Sequence, residues 1–169
     1  MGVITMTNPA GEKPTLYIET TIPSYLAARP SRDLVIAGNQ QITHEWWNEE
    51  RERFQIYISQ AVLLEAEAGD TKASLLRTNY LKDMQILPVT GEIETIAKEY
   101  ISVLGIPDKS ALDAVHLAYA VIYKLDYLLT WNCKHLAHGE IRKKLKKYNF
   151  SLGLETPEIV TPNELMRRD

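Results

Sequence analysis

Short apolar runs recur along the chain at residues 15–19, 54–59, 85–89 and 126–131, and each is followed by a segment long enough for one or more helices. That spacing constrains the fold most. Two-residue hairpin turns join antiparallel neighbours only, whereas parallel neighbours need a crossover of a dozen or more residues, usually helical. The alternation therefore predicts an α/β fold with a mostly parallel central sheet between two layers of helices. Residues 158–160 offer one more short strand. In such sheets ligands bind beyond the carboxyl ends of the strands, so Glu19 and Asn132, at or just past strand ends, are the first places to look.

Between the strands, Pro23 suits the first turn of a short helix running to residue 28. Pro30 and Ser31 offer a start for a long helix over about 32–53, with Leu34, Ile42, Trp46 and Trp47 at near-helical intervals. Helices are expected over 60–68, over 71–84, from Gly91 to near Gly105, over 110–124 and over about 134–147. Residues 1–13 show no periodicity and read as a disordered leader before a single domain over 14–169.

Several function classes are set aside by composition. No apolar run approaches the roughly 20 residues of a bilayer-spanning helix, and the first residues lack a charged-then-apolar signal pattern. Cys133 is the only cysteine, so no disulfide forms within the chain and a four-cysteine zinc site is excluded; a reducing, cytoplasmic setting fits. The formal charge of −3 argues against general electrostatic attraction to nucleic acid. A local cluster remains in Arg142, Lys143, Lys144, Lys146 and Lys147, which is either a substrate contact or the solvated face of a helix whose apolar side carries Ile141, Leu145 and Tyr148.

The acids carry the chemistry. Glu19 ends an apolar strand and is followed by Thr20 and Thr21; it either projects into the crevice or caps the next helix. Glu65 lies on a helix face shared with Ala61 and Ala68, as a site residue or as an exposed helix acid. Asp113 sits in a nearly continuous apolar helix, where an acid is rare unless paired or metal-bound; alternatively, with Ser110 as N-cap, it completes a capping-box-like arrangement. His116, one turn on, is a supporting donor or a satisfied core histidine. Asn132 follows the fourth strand and can orient water, a metal-bound acid or phosphate. Cys133 and His135 beside it invite a zinc site, against which stands the lack of a second ligand pair.

Four segments, Tyr17-Ile18-Glu19-Thr20-Thr21-Ile22-Pro23-Ser24-Tyr25-Leu26, Ile58-Ser59-Gln60-Ala61-Val62-Leu63-Leu64-Glu65, Leu112-Asp113-Ala114-Val115-His116-Leu117-Ala118 and Leu128-Leu129-Thr130-Trp131-Asn132, stand in an order and spacing that resembles the PIN-domain nucleases. More closely they resemble the VapC-type toxins of bacterial toxin–antitoxin pairs, over roughly residues 15–165. The resemblance implies a PIN-like three-layer fold and a site built from Glu19, Glu65, Asp113 and Asn132. Two positions depart: aspartate is usual where Glu19 stands, and the longer side chain keeps the charge but shifts a ligand by about one methylene; an acid is common where Asn132 stands, and the amide removes one charge that tight binding of a second metal would use.

Three carboxylates brought together repel until a proton or a cation neutralises them. Oxygen-only ligands select Mg²⁺ or Mn²⁺. The expected function is thus a metal-dependent endoribonuclease in which Glu19, Glu65 and Asp113 hold the ion and Thr20, Thr130, His116 and Asn132 support water or phosphate. The resemblance further implies a cognate antitoxin, a homodimer, and tRNA or ribosomal RNA as substrate. Two alternatives stay open. One is a PIN-like module that binds RNA or an antitoxin without catalysis, favoured by the departures at positions 19 and 132. The other is a phosphatase with a strand-end nucleophile, disfavoured because position 21 is Thr where a second acid is needed.

Overall fold

The structure, a computed structural model, describes residues 12–167. Five strands form one sheet: β1 (Thr15–Ile18), β2 (Gln55–Ser59), β3 (Gln85–Leu87), β4 (Tyr127–Leu129) and β5 (Glu158–Val160). They lie in the order β3-β2-β1-β4-β5, and every pairing is parallel. The apolar runs reflect this: strands covered on both faces need no polar alternation, and Leu16, Tyr17, Ile18, Ile58, Leu128 and Leu129 are all fully or almost fully buried.

The chain lays β1, β2 and β3 outward on one side, then crosses back to place β4 against the other side of β1. Strand order therefore reverses between β1 and β4, and the crevice at their carboxyl ends is where such sheets bind ligands. Leu16, Tyr17 and Ile18 stand in register with Tyr127, Leu128 and Leu129. Glu19 and Thr130 thus leave the two strands side by side.

The helices are α1 (Thr21–Ala27), α2 (Leu34–Glu49), α3 (Gln60–Glu67), α4 (Thr71–Leu81), α5 (Gly91–Leu104), α6 (Ala111–Ile122), α7 (Gly139–Ser151) and α8 (Pro162–Leu165). Helix α2 is shorter at both ends than its periodicity suggests. It starts after Asp33, whose carboxylate accepts the Val35 and Ile36 amides, while Ser31 instead accepts the Asp33 amide. At its other end a 3-10 turn over Arg51–Arg53 replaces the last expected turn. Helix α5 ends at Gly105, whose φ of 68° is the left-handed conformation that closes a helix.

The basic helix α7 begins at Gly139 rather than near 134, because residues 134–137 are held in turns after Asn132. It buries Leu145 and leaves Lys143, Lys144, Lys146 and Lys147 exposed, while Arg142 donates to the Ile159 carbonyl. No helix among the described residues is long and apolar enough to cross a membrane. Of the expected leader over 1–13, only Glu12 and Lys13 fall within the described residues, and both are exposed.

Candidate functional site

Glu19 stands just past β1 with 4% of its surface exposed. Its Oε2 accepts three hydrogen bonds, from the Thr21 hydroxyl at 2.5 Å, the Thr21 amide at 3.1 Å and the Thr130 hydroxyl at 2.8 Å. Each threonine is held in turn. Thr21 Oγ1 accepts the Trp131 amide, and Thr130 Oγ1 accepts the Asn132 amide, both at 2.8 Å. The carboxylate does meet the start of α1, but from a buried position and not from solvent. Burial pushes its pKa above the ordinary glutamate value, in spite of those donors and of nearby His116.

Glu65 comes from α3, which Ser59 starts by accepting the Val62 amide. Its Oε1 receives the Thr20 hydroxyl at 2.8 Å and lies 2.6 Å from His116 Nε2. Thr20 precedes α1 as N-cap, yet it spends its hydroxyl on Glu65 and none on the helix. Burial alone would raise the Glu65 pKa, but His116 and Thr20 outweigh it and hold the carboxyl below its ordinary value. For His116, burial opposes the charge and the carboxylates win: the Glu65 hydrogen bond, then the charges of Glu19, Glu65 and Asp113, raise its pKa. This fully buried histidine lies within electrostatic reach of all three acids. Its other nitrogen, Nδ1, is 2.7 Å from the Tyr17 hydroxyl, which is also 2.7 Å from Ser59 Oγ.

Asp113, in the first turn of α6, does not complete a capping box, since Ser110 makes no side-chain cap. Its Oδ2 pairs with His135 Nδ1 at 2.7 Å. Asn132 does not face this pair as a free amide; its Oδ1 accepts the His135 backbone amide at 3.0 Å and so shapes the turn that presents the imidazole.

Glu19 is held by Thr21 and Thr130, Glu65 by Thr20 and His116, and Asp113 by His135; the charges of all three acids act on His116. Among the described residues, no three His, Cys, Asp or Glu side chains converge as one ion-binding group. Each acid is anchored through a single oxygen, however, and its second oxygen has no hydrogen-bond partner. None of those second oxygens is sealed from solvent, because among the described residues Trp46 Nε1 is the one buried, unpartnered side-chain polar atom. Free carboxylate oxygens at a crevice suit Mg²⁺ or Mn²⁺ held by one or two carboxylates with waters completing the shell, rather than a cage of three.

Two contributors escape sequence reasoning, Tyr17 and Thr21, and His135 enters it only as a zinc candidate beside Cys133 and not as the partner of Asp113. Tyr17 carried a readable signal, since it lies two residues before Glu19 on a strand and so on the same face. Cavity size does not single out the site. A cavity of about 660 Å³ opens elsewhere, among Lys13, Trp47, Arg51, Tyr80 and Gln85 at the amino end of the sheet.

The sequence matches the PIN domain family model over residues 34–134, more than half of the 169 residues. The chain belongs to the PIN-domain family. The matched stretch includes Glu65, Asp113 and Asn132 and leaves out Glu19. Among solved structures, the PIN fold here is similar to Mycobacterium tuberculosis VapC20, a sarcin–ricin loop cleaving toxin, with a TM-score of 0.58 at 14% identity over 74% of this chain and 95% of that one. It is also similar to VapBC2 from Rickettsia felis, solved bound to a DNA fragment from their promoter, with a TM-score of 0.54 at 13% identity over 87% of this chain and 98% of that one. No curated protein matches the sequence. At such identities the likeness to these toxin structures is one of fold.

Proposed function

We propose that this PIN-domain protein is a metal-dependent endoribonuclease, the toxin of a toxin–antitoxin pair. The observation that carries the reading is the placing of Glu19, Glu65 and Asp113 around one buried histidine at the strand-order reversal, each with one carboxylate oxygen uncommitted.

Glu19, Glu65 and Asp113 would hold Mg²⁺ or Mn²⁺, directly or through water. Such an ion, when bound, lowers the pKa of a bound water and neutralises phosphate charge. The chain's own residues prepare that chemistry. Thr21 and Thr130 fix the Glu19 carboxylate, and Thr20 with His116 fix Glu65, so neither acid must reorganise when substrate arrives. Asn132 sets the turn behind the crevice. The likeness to VapC20, a sarcin–ricin loop cleaving toxin, supports structured RNA as substrate, and the likeness to VapBC2 supports a cognate antitoxin as partner; tRNA as an alternative substrate and a homodimer are part of the same proposal and rest on the sequence resemblance alone. We take residues 14–169 as one unit working in the cytoplasm.

One observation favours the non-catalytic alternative: His116 already pairs with Glu65, and threonines bond Glu19, with no ion required. Cleavage of structured RNA in Mg²⁺ or Mn²⁺, by the native chain and by Asp113→Asn, separates the two. The nuclease reading expects metal-dependent cleavage that falls by about 100-fold or more in the variant, about 2.7 kcal/mol of transition-state stabilisation. Equal cleavage by both, or none by either, rejects it. Sequencing the RNA ends made on controlled expression identifies the target.

A further inference from the structure

We propose that the outward face of α7, with Lys143, Lys144, Lys147 and Phe150, binds an unpaired segment of RNA outside the cleavage crevice, the lysines on phosphates and Phe150 against a base. The inference rests on the nuclease reading only for naming RNA as the polyanion, and it adds a contact surface that the acids do not supply.

Helix α7 carries five cations against one acid, Glu140, in a chain whose formal charge is −3. Arg142 is spent on the Ile159 carbonyl. Lys143, Lys144, Lys146 and Lys147 are exposed, and among the described residues none of them forms an ion pair. The helix itself does not gain from them. Lys143 and Lys147 stand four residues apart, a spacing at which like charges repel, and no lysine falls in the last turn, where a cation would answer the helix dipole. Phe150 lies three residues past Lys147 and four past Lys146, and so on their side of the helix. It leaves 85% of its surface in water and adds little to the core that Leu145 and Ile141 anchor.

Beside this face a groove of about 330 Å³ opens between α5 and α7, lined by Val103, Lys144, Lys147, Tyr148 and Ser151. Tyr148 is held there, because its hydroxyl donates to Glu99 at 2.7 Å. Single strands are bound by cations along the backbone and aromatic side chains against the bases. An acidic peptide would answer the lysines alone, whereas a run of nucleotides answers both the lysines and the aromatic rings. The face also has a direction. Strands β4 and β5 are parallel, so α7 returns from the crevice end of the sheet to the other end. At about 1.5 Å per residue, Lys143 stands about 6 Å and Phe150 about 16 Å along the axis from Gly139. The face leads away from the acids, and its part is to hold RNA, not to cut it.

The test uses the full-length chain in EDTA, so that no RNA is cut, with a short unstructured fluorescent RNA read by anisotropy over a series of KCl concentrations. On a single strand the logarithm of affinity falls against the logarithm of salt by about 0.7 for each phosphate neutralised. Lys143→Gln, Lys144→Gln and Lys147→Gln combined should therefore flatten the slope by about 2. Phe150→Ala should weaken binding by about 5–150-fold, the range for one base stacked on an aromatic ring, with the slope unchanged, and Phe150→Tyr should restore it. All four positions are exposed, so the fold tolerates these changes. In Mn²⁺ the same variants should raise KM for cleavage more than they lower kcat. A native chain that binds no RNA, or variants that bind as tightly as the native chain, overturn the proposal, and cleavage by those same proteins would leave the nuclease reading standing. Binding that depends on this face, with no cleavage in Mg²⁺ or Mn²⁺, upholds the proposal and rejects that reading. Equal affinity for a polyglutamate peptide, with the same loss in Phe150→Ala, assigns the face to an acidic protein partner and overturns the RNA assignment.

Discussion

The paired strands β1 and β4 are closed at each end by an acid and threonine, and the two closures differ in everything but that chemistry. At the amino end, Asp126 Oδ2 accepts the Thr15 amide at 2.7 Å and the Thr15 hydroxyl at 2.9 Å, while Thr15 Oγ1 accepts the Asp126 amide. At the carboxyl end, Glu19 Oε2 accepts from Thr21 and Thr130. Asp126 is exposed, and no other acid is bonded to its partner. Glu19 is buried, its pKa is pushed up by that burial, and His116 links it electrostatically to Glu65 and Asp113. An acid in water that holds a strand end is a clamp. A buried acid in a crevice with two others costs stability, and such perturbed groups cluster at functional sites.

Replacing Glu19 tests the larger half of this contrast. Glu19→Gln keeps the shape and an oxygen for Thr21 and Thr130 but removes the charge. RNA cleavage is expected to fall by about 100-fold or more, on the scale of losing one group acting in the transition state. Unfolding stability in urea, measured without metal, should be equal to or greater than that of the native chain, because a buried carboxylate pays a desolvation penalty of several kcal/mol. A variant that loses activity and stability together would make Glu19 a structural acid, and the contrast between the two ends would disappear.

Acid–base linkage gives a smaller effect of opposite signs. The His116 pKa is raised on folding, so its contribution is fully present below about pH 6.5, its ordinary value, and is lost as pH rises through the folded value. Glu19 is also raised, and its contribution fades in the same direction from a lower starting pH. Glu65 is lowered; its contribution is present above its ordinary value and is lost as pH falls through the folded one. Metal-free protein should therefore lose stability as pH climbs above about 6.5, with a slope of at most about 1.4 kcal/mol per pH unit for one proton. His116→Gln should flatten that limb in urea titrations at several pH values. A native chain with no slope there would remove His116 as the charge that balances the acids.

The legible part of this molecule was the part written in local pattern. Apolar runs spaced by helical segments gave the parallel sheet, because a crossover leaves a length signature. Glu19 and Asn132 were findable because strand ends are. The ends of α2 and α7 were misplaced because Asp33 and Asn132 capture nearby amides, a side-chain choice that periodicity does not report. From sequence His135 suggests only zinc, because its pairing with Asp113 spans 22 residues and exists only once α6 and the β4–α7 connection are packed. The apolar helix around His116 favours a core histidine over a supporting donor, and in the structure it is both, fully buried and bonded to Glu65.

The amino-end clamp gives the smallest effect and the cleanest control. Asp126→Ala deletes the acceptor for the Thr15 amide and hydroxyl. Since the site is exposed, water replaces the lost acceptor, and no buried group is left unsatisfied. The cost is then the net worth of the bonds, about 1 kcal/mol, rather than the larger penalty of a stranded polar group. RNA cleavage should be unchanged, because the full length of the strand pair separates Asp126 from Glu19. A loss of several kcal/mol would mean that β4 depends on this clamp for its register with β1. In that case the carboxyl-end crevice would depend on it too, since Thr130 reaches Glu19 only if Leu129 stays opposite Ile18.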